Sequence, residues 1–117
     1  MALNGVVEPT KIQSFSHKTH FHAYNICIEV EWDPNKAAIN LQKHSLSFSE
    51  AEAVLFDQNA LSFEDTTAQG EQRFIAIGMD HFWRLLVVVY TERENRVRLI
   101  SARPATRSER RQYERGI

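Results

Sequence analysis

Arginine sets the chemical expectation for this chain. Residues 84–117 hold nine arginines against four acidic residues, whereas residues 1–83 hold five basic residues against eleven acidic ones. Guanidinium is always charged and its planar fork matches phosphate, so arginines carried on a packed sheet point to a phosphate-bearing partner. Three stand out by position. Arg73 shares a strand face with Ile75 and Ile77. Arg98 shares one with Ile100 and Ala102, and Arg103 shares the other with Val97, Leu99 and Ser101. Strict alternation sets Arg98 and Arg103 on opposite faces, so one site takes both only where a bulge or the strand end re-aims one of them. A cation at the rim of an apolar face is either paired or open to an anion. Glu64, Asp65 and Glu71 are the carboxylates at hand for pairing.

A second group sits on a helical segment, where Lys36, Asn40, Lys43 and His44 recur at i, i+4, i+7 and i+8. At about 100° per residue they fall within roughly one 100° arc, with Ala37, Ala38 and Leu41 on the adjoining arc expected to face the core. His44 falls in the last turn, where the helix C-terminus favours imidazolium and Lys43 disfavours it. Taken alone, such a stripe reads more readily as a solvated helix face. His17, His20 and His22 form H-x-x-H-x-H without a clear fourth ligand, which makes a metal site the weaker reading. Cys27 has no C-x-x-C partner, and the four glycines form no phosphate-binding loop, so no cofactor and no metal are expected.

The elements that must carry these residues read as one domain. The 117 residues allow a single core. One cysteine leaves no intramolecular disulfide, and no apolar run approaches a membrane span, so a cytoplasmic protein is the default expectation. The net charge of −1 hides the local basic face. Residues 1–27 show little periodicity and read as a poorly ordered extension, with the domain spanning 28–117. Ile28-Glu-Val-Glu-Trp32 alternates as a half-buried strand. Asp33-Pro34 opens a helix running to about His44, and Ser47-Phe-Ser-Glu50 has capping-box spacing for a second, ending near Asp57. Leu61–Asp65, Arg73–Gly78, Leu85–Thr91 and Arg96–Arg103 read as four strands, with Leu85–Thr91 central. Thr106-Arg-Ser-Glu109 opens a terminal helix whose Arg107, Arg110, Arg111 and Arg115 form a solvated basic face. The expected fold is α+β: an antiparallel sheet of about four to five strands covered on one face by helices, two before the meander and one after.

Several strings in this order resemble the BrnT family, the toxin halves of bacterial type II toxin–antitoxin modules. They are Glu31-Trp-Asp-Pro-Asn-Lys-Ala-Ala-Ile-Asn-Leu-Gln-Lys-His44, Phe48-Ser-Glu-Ala51, Val54-Leu-Phe-Asp57, Leu86-Val-Val-Val-Tyr90 and Arg98-Leu-Ile-Ser-Ala-Arg103. The resemblance spans about residues 29–116. It implies a RelE-like ribonuclease fold, RNA cleavage that inhibits translation, and a ribbon-helix-helix antitoxin partner. It also carries the family's polar positions onto Lys43, His44, Asp65, Arg73, Arg98, Ser101 and Arg103. Ser45 stands where glycine usually follows Lys-His, which bears on where the helix delivers His44.

RNA cleavage without metal needs a base for the 2′-hydroxyl, an acid for the 5′-oxygen and cations around the phosphorane. The expected roles are Arg73, Arg98 and Arg103 on the scissile phosphate and His44 in proton transfer. Lys43 supports as a cation, Asp65 orients an arginine, and Ser101 joins Lys43 and Asp65 in binding the substrate. The rival reading is a non-catalytic module whose basic face binds nucleic acid or an antitoxin.

Overall fold

The structure is a computed structural model that describes residues 17–21 and 26–116, with side chains described from Glu29 onward. Its order is β1 (His17–Phe21), β2 (Ile26–Trp32), α1 (Pro34–His44), α2 (Phe48–Ala51) with a 3₁₀ turn over Glu52–Phe56, β3 (Leu61–Glu64), β4 (Phe74–Met79), β5 (Leu85–Arg93), β6 (Arg96–Pro104) and α3 (Arg107–Arg115). One sheet runs β1-β2-β6-β5-β4-β3.

The sheet corrects the antiparallel expectation. β2 lies parallel to β6, with Glu31 opposite Arg98 and Trp32 opposite Leu99, while the other neighbours are antiparallel. Period-2 patterning shows which residues share a face but says nothing about which way a neighbour runs. After β2 the chain crosses under the sheet through α1 and α2. It then meanders back from the far edge, and four strands later β6 arrives beside β2 in the same direction. β1 adds a sixth strand within the segment read as an extension. Ile26 and Cys27 open β2, while residues 1–16 and 22–25 lie outside the described residues, as do the side chains of His17, His20 and His22.

Caps place the helices as their residues dictate. The Asp33 carboxylate accepts from Asn35 N–H at 2.8 Å, and Pro34 occupies the first turn of α1. Ser47 and Glu50 close a capping box on α2, as do Thr106 and Glu109 on α3. The second helix is shorter than its spacing suggests: after Ala51 it tightens into the 3₁₀ turn, a common ending for a short helix.

Two clusters occupy opposite faces of the sheet. Val30, Trp32, Leu86, Val88, Tyr90, Val97, Leu99 and Ala102 meet Leu46, Phe48, Ala51 and Val54 from the α1–α2 layer. Ile77, Leu85 and Val87, on the alternate positions, meet Tyr113 of α3. The helices are therefore divided between the two faces, α3 alone on the second. Nine residues of α3 are too short to cover that face, and no other described helix packs on it.

Within α1 the buried position is Asn40, not Leu41, which is 52% exposed. Asn40 donates to the Leu46 carbonyl at 3.1 Å and accepts from Ala102 N–H at 3.0 Å. β2 stops pairing at Leu99, which leaves the next backbone groups of β6 without a strand neighbour. Asn40 supplies the missing acceptor, so a polar residue displaces an apolar one at the helix–sheet contact.

Candidate active site on the open sheet face

A bulge brings the arginines together. Val89 pairs with Ser101 but Tyr90 pairs with Leu99, so Ile100 is an extra residue on β6. Across it, Leu99 and Ala102 both reach the α1-side core, although they are three residues apart. By the same shift, Arg98, Ser101 and Arg103 stand opposite Thr91, Val89 and Val87, which alternate on one face of β5. The extra residue thus undoes the separation that alternation imposes on Arg98 and Arg103.

Arg73 joins them. Phe74 pairs with Tyr90 and stacks on it in the α1-side core, at 5.7 Å between centroids, so Arg73 projects to the other face with Ile75. Register carried one residue past Phe74 sets Arg73 beside Thr91 and two strands from Arg98. Two strand spacings are roughly 10 Å, within the combined reach of two arginine side chains. Asp65 lies on the same face, its N–H donating to the Arg73 carbonyl at 2.8 Å. The Asp65 carboxylate accepts from Thr67 Oγ1 at 2.7 Å and Thr67 N–H at 3.0 Å. Those bonds, assisted by the charge of Arg73, hold its carboxyl below the usual range.

The three cations differ in what already holds them. Arg103 is forked onto Glu109, Nη1 to Oε1 at 2.9 Å and Nη2 to Oε2 at 2.8 Å, which ties α3 to β6. Arg98 meets only Glu31, through Nε at 3.6 Å, and its terminal amino groups have no hydrogen bond among the described residues. Nε of Arg73 is buried and has no partner there either. A buried donor left unmade is costly, so the Arg73 Nε marks a position whose hydrogen bonding the described residues do not complete.

Lys43 and His44 stand in the other layer. With Lys36, Ile39, Asn40, Ile100 and Ser101 they line a cavity of about 210 Å³ between α1 and β6. Ser45 ends α1 in the left-handed region at φ 58°, its N–H closing on the Leu41 carbonyl at 2.8 Å. His44 is half-buried against this cavity and Lys43 is exposed. Only Ser101 belongs both to the cavity and to the arginine face. The structure therefore makes two groups of the sequence-derived set, Asp65–Arg73–Arg98–Arg103 and Lys43–His44, with Ser101 at the β6 edge between them. No cluster of three or more His, Cys, Asp or Glu side chains suited to a metal occurs among the described residues. No described helix is long and apolar enough to cross a membrane.

A family model described as ribonuclease toxin, BrnT, of type II toxin–antitoxin system matches residues 32–109. This chain belongs to the BrnT family. The match contains every candidate residue from Lys43 to Arg103. A solved structure, the ribonuclease toxin BrnT of Brucella abortus, is 26% identical with a TM-score of 0.51, covering 65% of this chain and 94% of that one. No curated protein matches the chain. Membership makes it a ribonuclease toxin of a type II toxin–antitoxin system and implies an antitoxin partner.

Two acids outside the expected site, Glu29 and Glu31, lie beside the arginines on the neighbouring strand. Glu31 is buried, 4% exposed, and approaches Arg96 Nη1 at 3.4 Å as well as Arg98 Nε; Glu29 pairs with Arg96 at 3.2 Å. With Glu71, Thr91 and Arg93, the residues Glu31, Arg96 and Arg98 line a second cavity of about 250 Å³. A signal for this was present in the sequence. Glu29-Val-Glu31 and Arg96-Val-Arg98 are opposite-charge strings of the same period, and they pair in register.

Proposed function

We propose that this BrnT family member cleaves RNA without a metal ion and thereby inhibits translation, and that a ribbon-helix-helix antitoxin neutralises it. The observation that carries the reading is a pair of guanidiniums on one sheet face that no acid hydrogen-bonds among the described residues, Arg73 with its buried, unpartnered Nε and Arg98 with unbonded terminal amino groups. In this reading Arg73 and Arg98 hold the scissile phosphate and gain strength as charge builds on the phosphorane oxygens. The backbone of the RNA crosses the β6 edge at Ser101, which brings the 2′-hydroxyl and the 5′-oxygen towards the cavity of His44 and Lys43. His44 moves the proton and Lys43 adds positive charge near the leaving oxygen. Asp65 stays ionised and steadies Arg73 through its charge. Arg103 fixes the corner of the face, because both arms of its fork are on Glu109.

The test is incubation of the purified protein with RNA, with and without EDTA. Fragments ending in cyclic or 3′-phosphate, unchanged by EDTA, are expected. Intact RNA bound in a salt-sensitive way would instead mark a binding module without chemistry.

A further inference from the structure

The carboxylate of Glu31 has no role in the reading above, yet it is the most buried acid on the arginine face. Burying a charge is costly unless its partners repay it, and here the approaches are long, 3.4 Å to Arg96 and 3.6 Å to Arg98. A well-packed neutral residue would serve the sheet as well. What the carboxylate does supply is direction. It approaches Arg98 at Nε, from the residue paired with it across the parallel strands, while the terminal amino groups of this 45%-exposed side chain make no hydrogen bond among the described residues. Arg96 is shared between Glu29 and Glu31, so the second oxygen of the Glu31 carboxylate is already engaged.

We propose that Glu31 is a positioning residue: it holds the Nε edge of Arg98 so that the guanidinium fork is presented, ready-ordered, to an RNA phosphate. This rests on the assignment of Arg98 to the scissile phosphate. An arginine on an open face otherwise samples many rotamers, and the ordering would have to be supplied in the transition state. Glu31 itself touches no substrate.

Glutamine at this position keeps the shape and removes the charge, and the face becomes one unit more positive. A purely structural residue would lower folding and activity together. A positioning residue separates two readouts instead. Glu31→Gln is expected to bind RNA at least as tightly, with KM unchanged or lower and no shallower salt dependence, while kcat falls about ten- to a hundredfold. In the Arg98→Ala background the same substitution has nothing left to aim. The double variant should therefore cleave within about threefold of Arg98→Ala alone. Glu31→Asp keeps the charge that Arg96 and Arg98 need and serves where the glutamine variant does not fold. Drawing the carboxylate back by one methylene is expected to slow cleavage about tenfold with RNA binding unchanged.

Parent-rate cleavage by the folded Gln or Asp variant, with Arg98→Ala defective, overturns the proposal and leaves the site assignment standing. Equal slowing by Glu31→Gln in the parent and in the Arg98→Ala background also overturns it, since Glu31 would then act on its own. If Arg98→Ala cleaves like the parent, the site assignment fails and takes the positioning role with it.

Discussion

The two ends of the arginine-bearing sheet face carry similar charge and use it differently. At the α3 end, Arg103 is forked onto Glu109, and the Tyr113 hydroxyl donates to Asp57 Oδ2 at 2.7 Å. Asp57 Oδ2 also accepts from Met79 N–H at 2.8 Å, so one carboxylate joins the 3₁₀ turn, β4 and α3. Nearby, Arg84 is shared between Asp80 and Glu50. At the other end Arg73 and Arg98 have neither a hydrogen-bonded acid nor a covering helix among the described residues. Charge density alone does not separate a latch from a binding site. The number of guanidinium donors already in use does.

The largest effect expected from this contrast is on rate at the open end. Arg98→Ala and Arg73→Ala should each lower RNA cleavage by about 10²–10³, the usual loss for one donor that acts on transition-state charge. Thermal melting should move little for Arg98, whose side chain is 45% exposed and makes one long contact. Arg103→Ala should show the reverse pattern, a clear loss of melting temperature with the smaller loss of rate. Cleavage assays and melting curves on the three variants decide it. A rate loss for Arg103→Ala as deep as that for Arg98→Ala would erase the distinction between the two ends.

The contrast also shows why part of this protein was legible in its sequence and part was not. Local chemistry could be read directly: the Asp33-Pro34 start, both capping boxes, the buried central strand and the placement of Arg98 and Arg103 on the last strand, with Arg73 falling one residue before its own. The bulge at Ile100 could not, because no glycine marks it and its cause lies in the pairing with β5. Without it, alternation wrongly separates Arg98 from Arg103. The parallel β2–β6 pair was equally hidden, since direction is a property of topology. So was the burial of Asn40, which answers a backbone group freed by β2's early exit, a non-local cause. Which arginines are free depends on acids distant in sequence, and Glu31 in particular is 67 positions from Arg98.

A smaller effect is expected from the latch itself. Tyr113 is 5% exposed, and burial, reinforced by Asp57, pushes its hydroxyl up to about 12, so it remains a donor at working pH. Tyr113→Phe removes one hydrogen bond to a carboxylate, worth about 1.5–3 kcal/mol, and should lower the melting temperature by roughly 5–10 °C. Below both melting temperatures cleavage should stay at the parent rate, because α3 would still be clamped by Arg103 and Glu109. A rate that falls with unchanged melting would mean that Tyr113 belongs to the site and that the latched end is not merely structural.

The smallest effect is a pH dependence confined to the Arg103–Glu109 clamp. The hydrogen bonds from Arg103, with help from Thr106 and the Arg103 charge, hold the Glu109 carboxyl down to about 2 from its ordinary 4.5. A carboxyl depressed in the folded state stabilises the fold fully above its unfolded pKa. That contribution is lost as pH falls from about 4.5 towards 2. Because the Arg103 side chain is 41% exposed, solvent screening cuts the contribution to about 1 kcal/mol. Other depressed carboxyls, Glu50, Asp65 and Asp80, fade in the same direction, so the parent's acid sensitivity alone does not isolate the clamp. The difference between parent and Glu109→Gln does: it should be greatest at pH 6–7 and shrink steadily below pH 4.5. A gap that stays constant down to pH 3 would show that Glu109 acts through packing and capping rather than charge. Arg103 would then be as available to an anion as Arg98, and the two ends of the face would differ in cover alone.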